Sequence, residues 1–125
     1  MIKKLKPSLI IMAHGSPRAK SNEDLYRVAD AVQARGLFRE VVVAFMECNE
    51  PDIPTAIDGL VAVGATEIVG VPYFLHPGNH VADDLPTILE EAQGKYPQVH
   101  FSMGDYIGRD PALEMVILDR AAEAG

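Results

Sequence analysis

Three of the four histidines in this 125-residue chain stand in short stretches rich in glycine, proline and asparagine, the residues of loops. His14 opens His14-Gly15-Ser16, and His76 and His80 bracket Pro77-Gly78-Asn79. A fourth stretch, Glu47-Cys48-Asn49-Glu50-Pro51, adds carboxylates. Imidazole and carboxylate groups brought together from separate loops can hold a borderline divalent cation while leaving coordination positions open for chemistry. A neutral imidazole can also take up a proton near pH 7. The four-residue spacing of His76 and His80 matches a metal pair on a helix, but Pro77 and Gly78 oppose a regular helix between them. Cys48 is the only cysteine, so it offers neither an intramolecular disulfide nor a thiolate cluster, and any metal falls to histidine and carboxylate. Cys48 itself reads as a small buried residue. Ser16 lacks the GxSxG elbow of a hydrolase nucleophile, and no GxxxxGK[ST] loop is present to cradle a nucleotide.

The elements that must position these groups follow from periodicity. Apolar runs at Leu9 to Ala13, Val41 to Met46, Ile68 to Phe74 and Val99 to Met103 alternate with amphipathic segments, the order expected of βαβ units in a four-stranded parallel sheet with helices on its faces. The first three runs lack polar alternation, as strands covered on both faces do. Leu25, Val28, Ala29 and Val32 repeat at helical spacing after a Ser21 cap and stop at Gly36. Ile53, Ala56, Ile57, Leu60 and Val61 mark a second helix ending at Gly64, and Val81, Leu85, Ile88, Leu89 and Ala92 a third ending at Gly94. Asp110 and Pro111 open a fourth, through Leu113, Val116 and Ile117. In such a sheet the loops after the strands form the ligand edge, and His14, Glu47, His76 and His80 all fall there.

Composition bounds the rest. With 48% hydrophobic and 23% charged residues, residues 1–125 read as one globular domain. No apolar run approaches the ~20 residues of a membrane span, and a cytoplasmic protein with no membrane partner is expected. A net charge of −7 argues against nucleic acid, whose phosphates call for a basic face. His100, inside a strand, reads as structural, and Met12, Met46 and Met103 read as core filler.

MAHGSPRAKSNEDL at strand one, AFMECNEPDIPTAI at strand two and GATEIVGVPYFLHPGNHVADDLP at strand three resemble, in order and separation, the class II chelatases, and specifically their short CbiX-type members. HGS alone would mean little; the three segments together are specific. The resemblance implies a flavodoxin-like three-layer α/β/α fold. It also implies a sirohydrochlorin cobaltochelatase of cobalamin or siroheme biosynthesis, which inserts Co²⁺, with Fe²⁺ or Ni²⁺ as alternatives, without nucleotide. His14 and His80 match the family's histidine pair and Glu47 its acidic residue, so these three are the expected catalytic and metal-binding groups, with His76 in a supporting role. Half-length members resemble a two-domain enzyme only after pairing, which implies a homodimer around a tetrapyrrole cleft. The substrate is polycarboxylated, so an acidic protein needs local cations: Arg18, Lys20 and Arg109 lie on the predicted edge, and Ser16, Arg18 and Arg109 are the expected tetrapyrrole contacts. The same residues would also serve a non-catalytic protein that binds divalent metal or tetrapyrrole for delivery.

Overall fold

The computed structural model describes residues 6–125. Strands β1 (Ser8–Ala13), β2 (Val41–Phe45), β3 (Glu67–Pro72) and β4 (His100–Met103) form one parallel sheet in the order β2-β1-β3-β4. Helices α1 (Glu23–Ala34), α2 (Ile53–Ala62) and α3 (Leu85–Lys95) make the crossovers, and α4 (Ala112–Ala124) ends the chain. This is the expected flavodoxin-like α/β arrangement, in which each parallel pair is joined through a helix lying against the sheet. No helix among the described residues is long and apolar enough to cross a membrane.

β1 lies at the centre and is buried along its whole length, because both faces are covered. On one face Ile10, Met12 and Ile68 pack with Ile53, Ile57 and Leu60 of α2 and Leu85 and Leu89 of α3. On the other, Leu9, Ile11, Val43 and Phe45 meet Leu25 and Ala29 of α1. With two helices on the first face and α1 alone on the second, coverage is unequal. β3 accordingly alternates between half-buried and buried residues instead of being enclosed on both sides as its unbroken apolar run predicts.

Several boundaries shift for local reasons. The α1 N-cap is Asn22, preceded by a 3₁₀ turn over Ala19–Asn22, and Ser21 is the third residue of that turn, not the cap. α2 starts as a capped helix should: Asp52 accepts a hydrogen bond from the Thr55 backbone N–H at 2.9 Å, with Pro54 in the first turn. The third segment begins as a π-helical turn, His80–Asp84, and becomes α-helical at Leu85. Gly94 lies inside that helix, and the chain leaves it at Tyr96, whose N–H still reaches the Ala92 carbonyl at 2.8 Å. At α4 the N-cap is Pro111 rather than Asp110 and the helix begins at Ala112; Asp110 stands one residue earlier, its side chain accepting from Ala112 N–H at 2.8 Å.

Candidate functional site

The loops after β1 and β2 are bound together by main-chain bonds that continue the ladder beyond the strands. Met46 N–H donates to the Ala13 carbonyl at 2.9 Å and Glu47 N–H to the His14 carbonyl at 3.0 Å. Asn49 completes the splice, its side-chain oxygen accepting from Ser16 N–H at 2.7 Å. The backbones approach so closely that a Cβ on Gly15 would lie 2.0 Å from the Glu47 carbonyl oxygen, and Gly15 has φ +97°. Only glycine satisfies both conditions.

This scaffold sets His14 beside Glu47. His14 Nε2 lies 2.5 Å from Glu47 Oε1, and Nδ1 lies 3.2 Å from the Gly15 carbonyl oxygen. Both side chains are about half exposed, 46% and 56%, so an incoming ion reaches them from solvent. The Nε2 and Oε1 atoms share a position that a divalent cation can take, since imidazole and carboxylate are both ligands for such ions. Beside the pair, Met46 to Asp52 and Thr55 line an open depression of ≈ 790 Å³. Glu47, Glu50 and Asp52 make that wall acidic, and among the described residues no cationic side chain lines it, a field that favours a metal ion and disfavours a polyanion. Hydrogen bonding from Thr55 holds the Asp52 carboxyl below its usual range.

The other expected residues are distributed around the same edge. His80 begins the π-helical turn after β3; its side chain lies outside the described residues. His76 is exposed in the loop before it. Ser16 offers its hydroxyl oxygen to Arg18 N–H at 3.2 Å, leaving the exposed Arg18 side chain on the surface, as is Lys20. Arg109 pairs with Asp105 at 3.3 Å, both largely exposed. His100 is exposed in β4, and Met12 is fully buried while Met103 is 37% exposed. Cys48 corrects its expectation: it is exposed at φ +69°, because the chain turns sharply there and carries the side chain outward. Among the described residues no group of three or more His, Cys, Asp or Glu that could hold a metal ion is present, and His14 and Glu47 stand there as a pair. Asn49, which ties the two loops, was not singled out from the sequence; its only signal there was its place beside Glu47.

The CbiX family model matches residues 8–124. A sirohydrochlorin cobaltochelatase of Methanococcus maripaludis is 38% identical over 87 residues, 70% of this chain and 60% of that protein, so the match spans well under the relative's full length. One of Methanosarcina barkeri is 30% identical over an alignment covering 95% of this chain and 97% of the relative. The crystal structure of the sirohydrochlorin chelatase SirB from Bacillus subtilis subspecies spizizenii, in complex with cobalt, superposes with TM-score 0.87 at 27% identity, over 95% of this chain and 51% of SirB. The motif segments, the sheet order and a family match over nearly the whole length agree: the chain belongs to the CbiX family.

Proposed function

We propose that the protein inserts a divalent metal ion, Co²⁺ first and Fe²⁺ or Ni²⁺ as alternatives, into sirohydrochlorin, acting as a chelatase without nucleotide. The observation that carries this reading is the half-exposed His14–Glu47 pair, held by a tightly spliced pair of loops at the carboxyl edge of a CbiX-family sheet. The relatives named sirohydrochlorin cobaltochelatase and the cobalt complex of SirB supply the substrate class.

Insertion exchanges water ligands for pyrrole nitrogens and releases two N–H protons. The acidic wall of Glu47, Glu50 and Asp52 concentrates the cation. His14 and Glu47 take its first coordination positions in place of water, and His80, from the turn after β3, approaches as the second imidazole. As the macrocycle takes the metal, the released side chains accept the two protons as general bases. Ser16, Arg18 and Arg109 contact the substrate's carboxylates, which must face away from the acidic depression. Arg109 exchanges Asp105 for that partner. Because the chain matches about half of SirB, we read the working unit as two copies facing across one tetrapyrrole. The lone cysteine suits the reducing cytoplasm, where we place the reaction.

Turnover tests this reading. Purified protein mixed with excess sirohydrochlorin and Co²⁺ is expected to drive the absorbance change of metallation through many equivalents per protein, faster than the uncatalysed reaction. A change that stops at one equivalent identifies a metal or tetrapyrrole carrier instead. Running Co²⁺, Fe²⁺ and Ni²⁺ side by side ranks the metals.

A further inference from the structure

Two of the chain's ten glycines meet another stretch of backbone at a distance no side chain tolerates. One is Gly15, beside the His14–Glu47 pair; the other is Gly108, on the connector between β4 and α4. A Cβ on Gly108 would lie 2.0 Å from the Leu75 carbonyl oxygen and 2.5 Å from its carbon, whereas carbon ordinarily meets a carbonyl oxygen at about 3.3 Å or more. Gly108 does not have a positive φ, so the neighbouring backbone alone excludes a side chain.

Leu75 belongs to the loop after β3, which carries His76 and leads to His80. That loop is held from both sides. Tyr73 N–H donates to the Met12 carbonyl of β1 at 2.8 Å, and Gly108 N–H donates to the Phe74 carbonyl at 3.0 Å. Beyond Leu75 the chain passes Pro77-Gly78-Asn79 and enters the π-helical turn that His80 begins, where Ala82 N–H closes on the Gly78 carbonyl at 3.0 Å. The connector is anchored in turn, with Gly104 N–H donating to the Gly70 carbonyl at 2.9 Å and Asp110 N–H to the Ile107 carbonyl at 3.1 Å. The sheet thus fixes the connector, and the connector fixes the histidine loop.

We infer that Gly108 is a positioning residue: it sets the loop after β3 at the distance from which His80 reaches an ion held by His14 and Glu47. Gly15 does the same for those two residues on the other half of the edge. This rests on the reading of His80 as the second imidazole and adds what holds it in range. Relieving the overlap that alanine would create requires the two backbones to part by about 1 Å. A displacement of that size among groups that must be oriented costs about 10²-fold in rate.

Gly108→Ala tests this beside Gly104→Ala, a control on the same connector whose Cβ would make ordinary contact with Val71 Cγ2 at 3.4 Å. With Gly108→Ala, kcat for Co²⁺ insertion into sirohydrochlorin is expected to fall about 10²-fold, and the visible spectrum of Co²⁺ bound without tetrapyrrole to shift from wild type to that of His80→Ala. Gly104→Ala is expected to change neither. A wild-type kcat, or a lowered kcat with the wild-type Co²⁺ spectrum, overturns the assignment. A crystal structure of Gly108→Ala judges position apart from activity: Leu75 to His80 should move by about 1 Å while His14 and Glu47 stay, and an unmoved loop overturns it. Inserting one glycine between Gly104 and Asp105 slackens the connector without adding an atom at Gly108. It is expected to give the same loss and the same spectrum, and it decides the matter should alanine prevent folding. A wild type that does not turn over sinks the chelatase reading instead, and the crystal structure still decides whether Gly108 sets the loop.

Discussion

At the scale of single residues, the site depends on how closely two loops approach. His14 and Glu47 meet because Gly15 has no side chain and because Asn49 holds Ser16. Gly15→Ala combines a left-handed φ, which costs about 1–3 kcal/mol, with a Cβ that would lie only 2.0 Å from the Glu47 carbonyl oxygen. The substitution should reduce insertion at least tenfold and lower the thermal midpoint, measured by turnover and melting of the same sample. His14→Ala is expected to cut turnover by ~10²-fold or more, the usual range for losing a positioned proton acceptor. Glu47→Gln keeps the shape but removes the charge, so its main effect should be weaker Co²⁺ binding by calorimetry; unchanged affinity would remove Glu47 from the ligand set. The place of His14, Glu47, His76 and His80 in the loops after the strands was legible from sequence because loop chemistry and strand order put them on one edge. Asn49 was not, since a splice between distant loops has no local pattern, and Cys48 misled because its burial depends on a turn whose φ the sequence does not reveal.

At the scale of elements, capping and helix-to-helix polar contacts can be tested separately from the site. Asp58 on α2 accepts from the Tyr96 hydroxyl at 2.5 Å and from Lys95 at 3.1 Å, and these bonds, Tyr96 first, hold its carboxyl below the usual range. Asp52 is lowered by Thr55 in the same sense. A carboxyl depressed in the folded state adds stability that is present above its unfolded pKa, about 3.9, and disappears as pH falls through the lower folded value. Chemical denaturation should therefore show stability dropping below about pH 4, and Tyr96→Phe should show a smaller drop over the same interval. At neutral pH Asp52→Ala is expected to cost about 1 kcal/mol, the usual worth of an N-cap. Four strands and four helices were readable because apolar runs and 3.6-residue spacing are strong signals. The π-helical turn at His80 was not, because Val81 and Leu85 lie four apart and suit an α-helix equally well.

At the scale of the whole molecule, parallel order and the ligand edge follow from alternation of strands and helices, whereas the uneven covering of the sheet does not. The unbroken apolar run at β3 pointed to burial on both faces, and in the single chain only one face is enclosed. β3 alternates because only α1 packs on its second face, where Val69 and Val71 lie at the margin of the cluster, and the order of apolar residues in the sequence does not record how far a helix on that face extends. The central claim is that the metal ion is received between His14 and Glu47, with His80 closing from the third loop. A crystal soaked in Co²⁺ and measured at the cobalt absorption edge tests it most directly. The account predicts an anomalous peak within about 2.0–2.2 Å of a His14 ring nitrogen and a Glu47 oxygen; a sole peak among Glu50 and Asp52, with His14 unmoved, would contradict it.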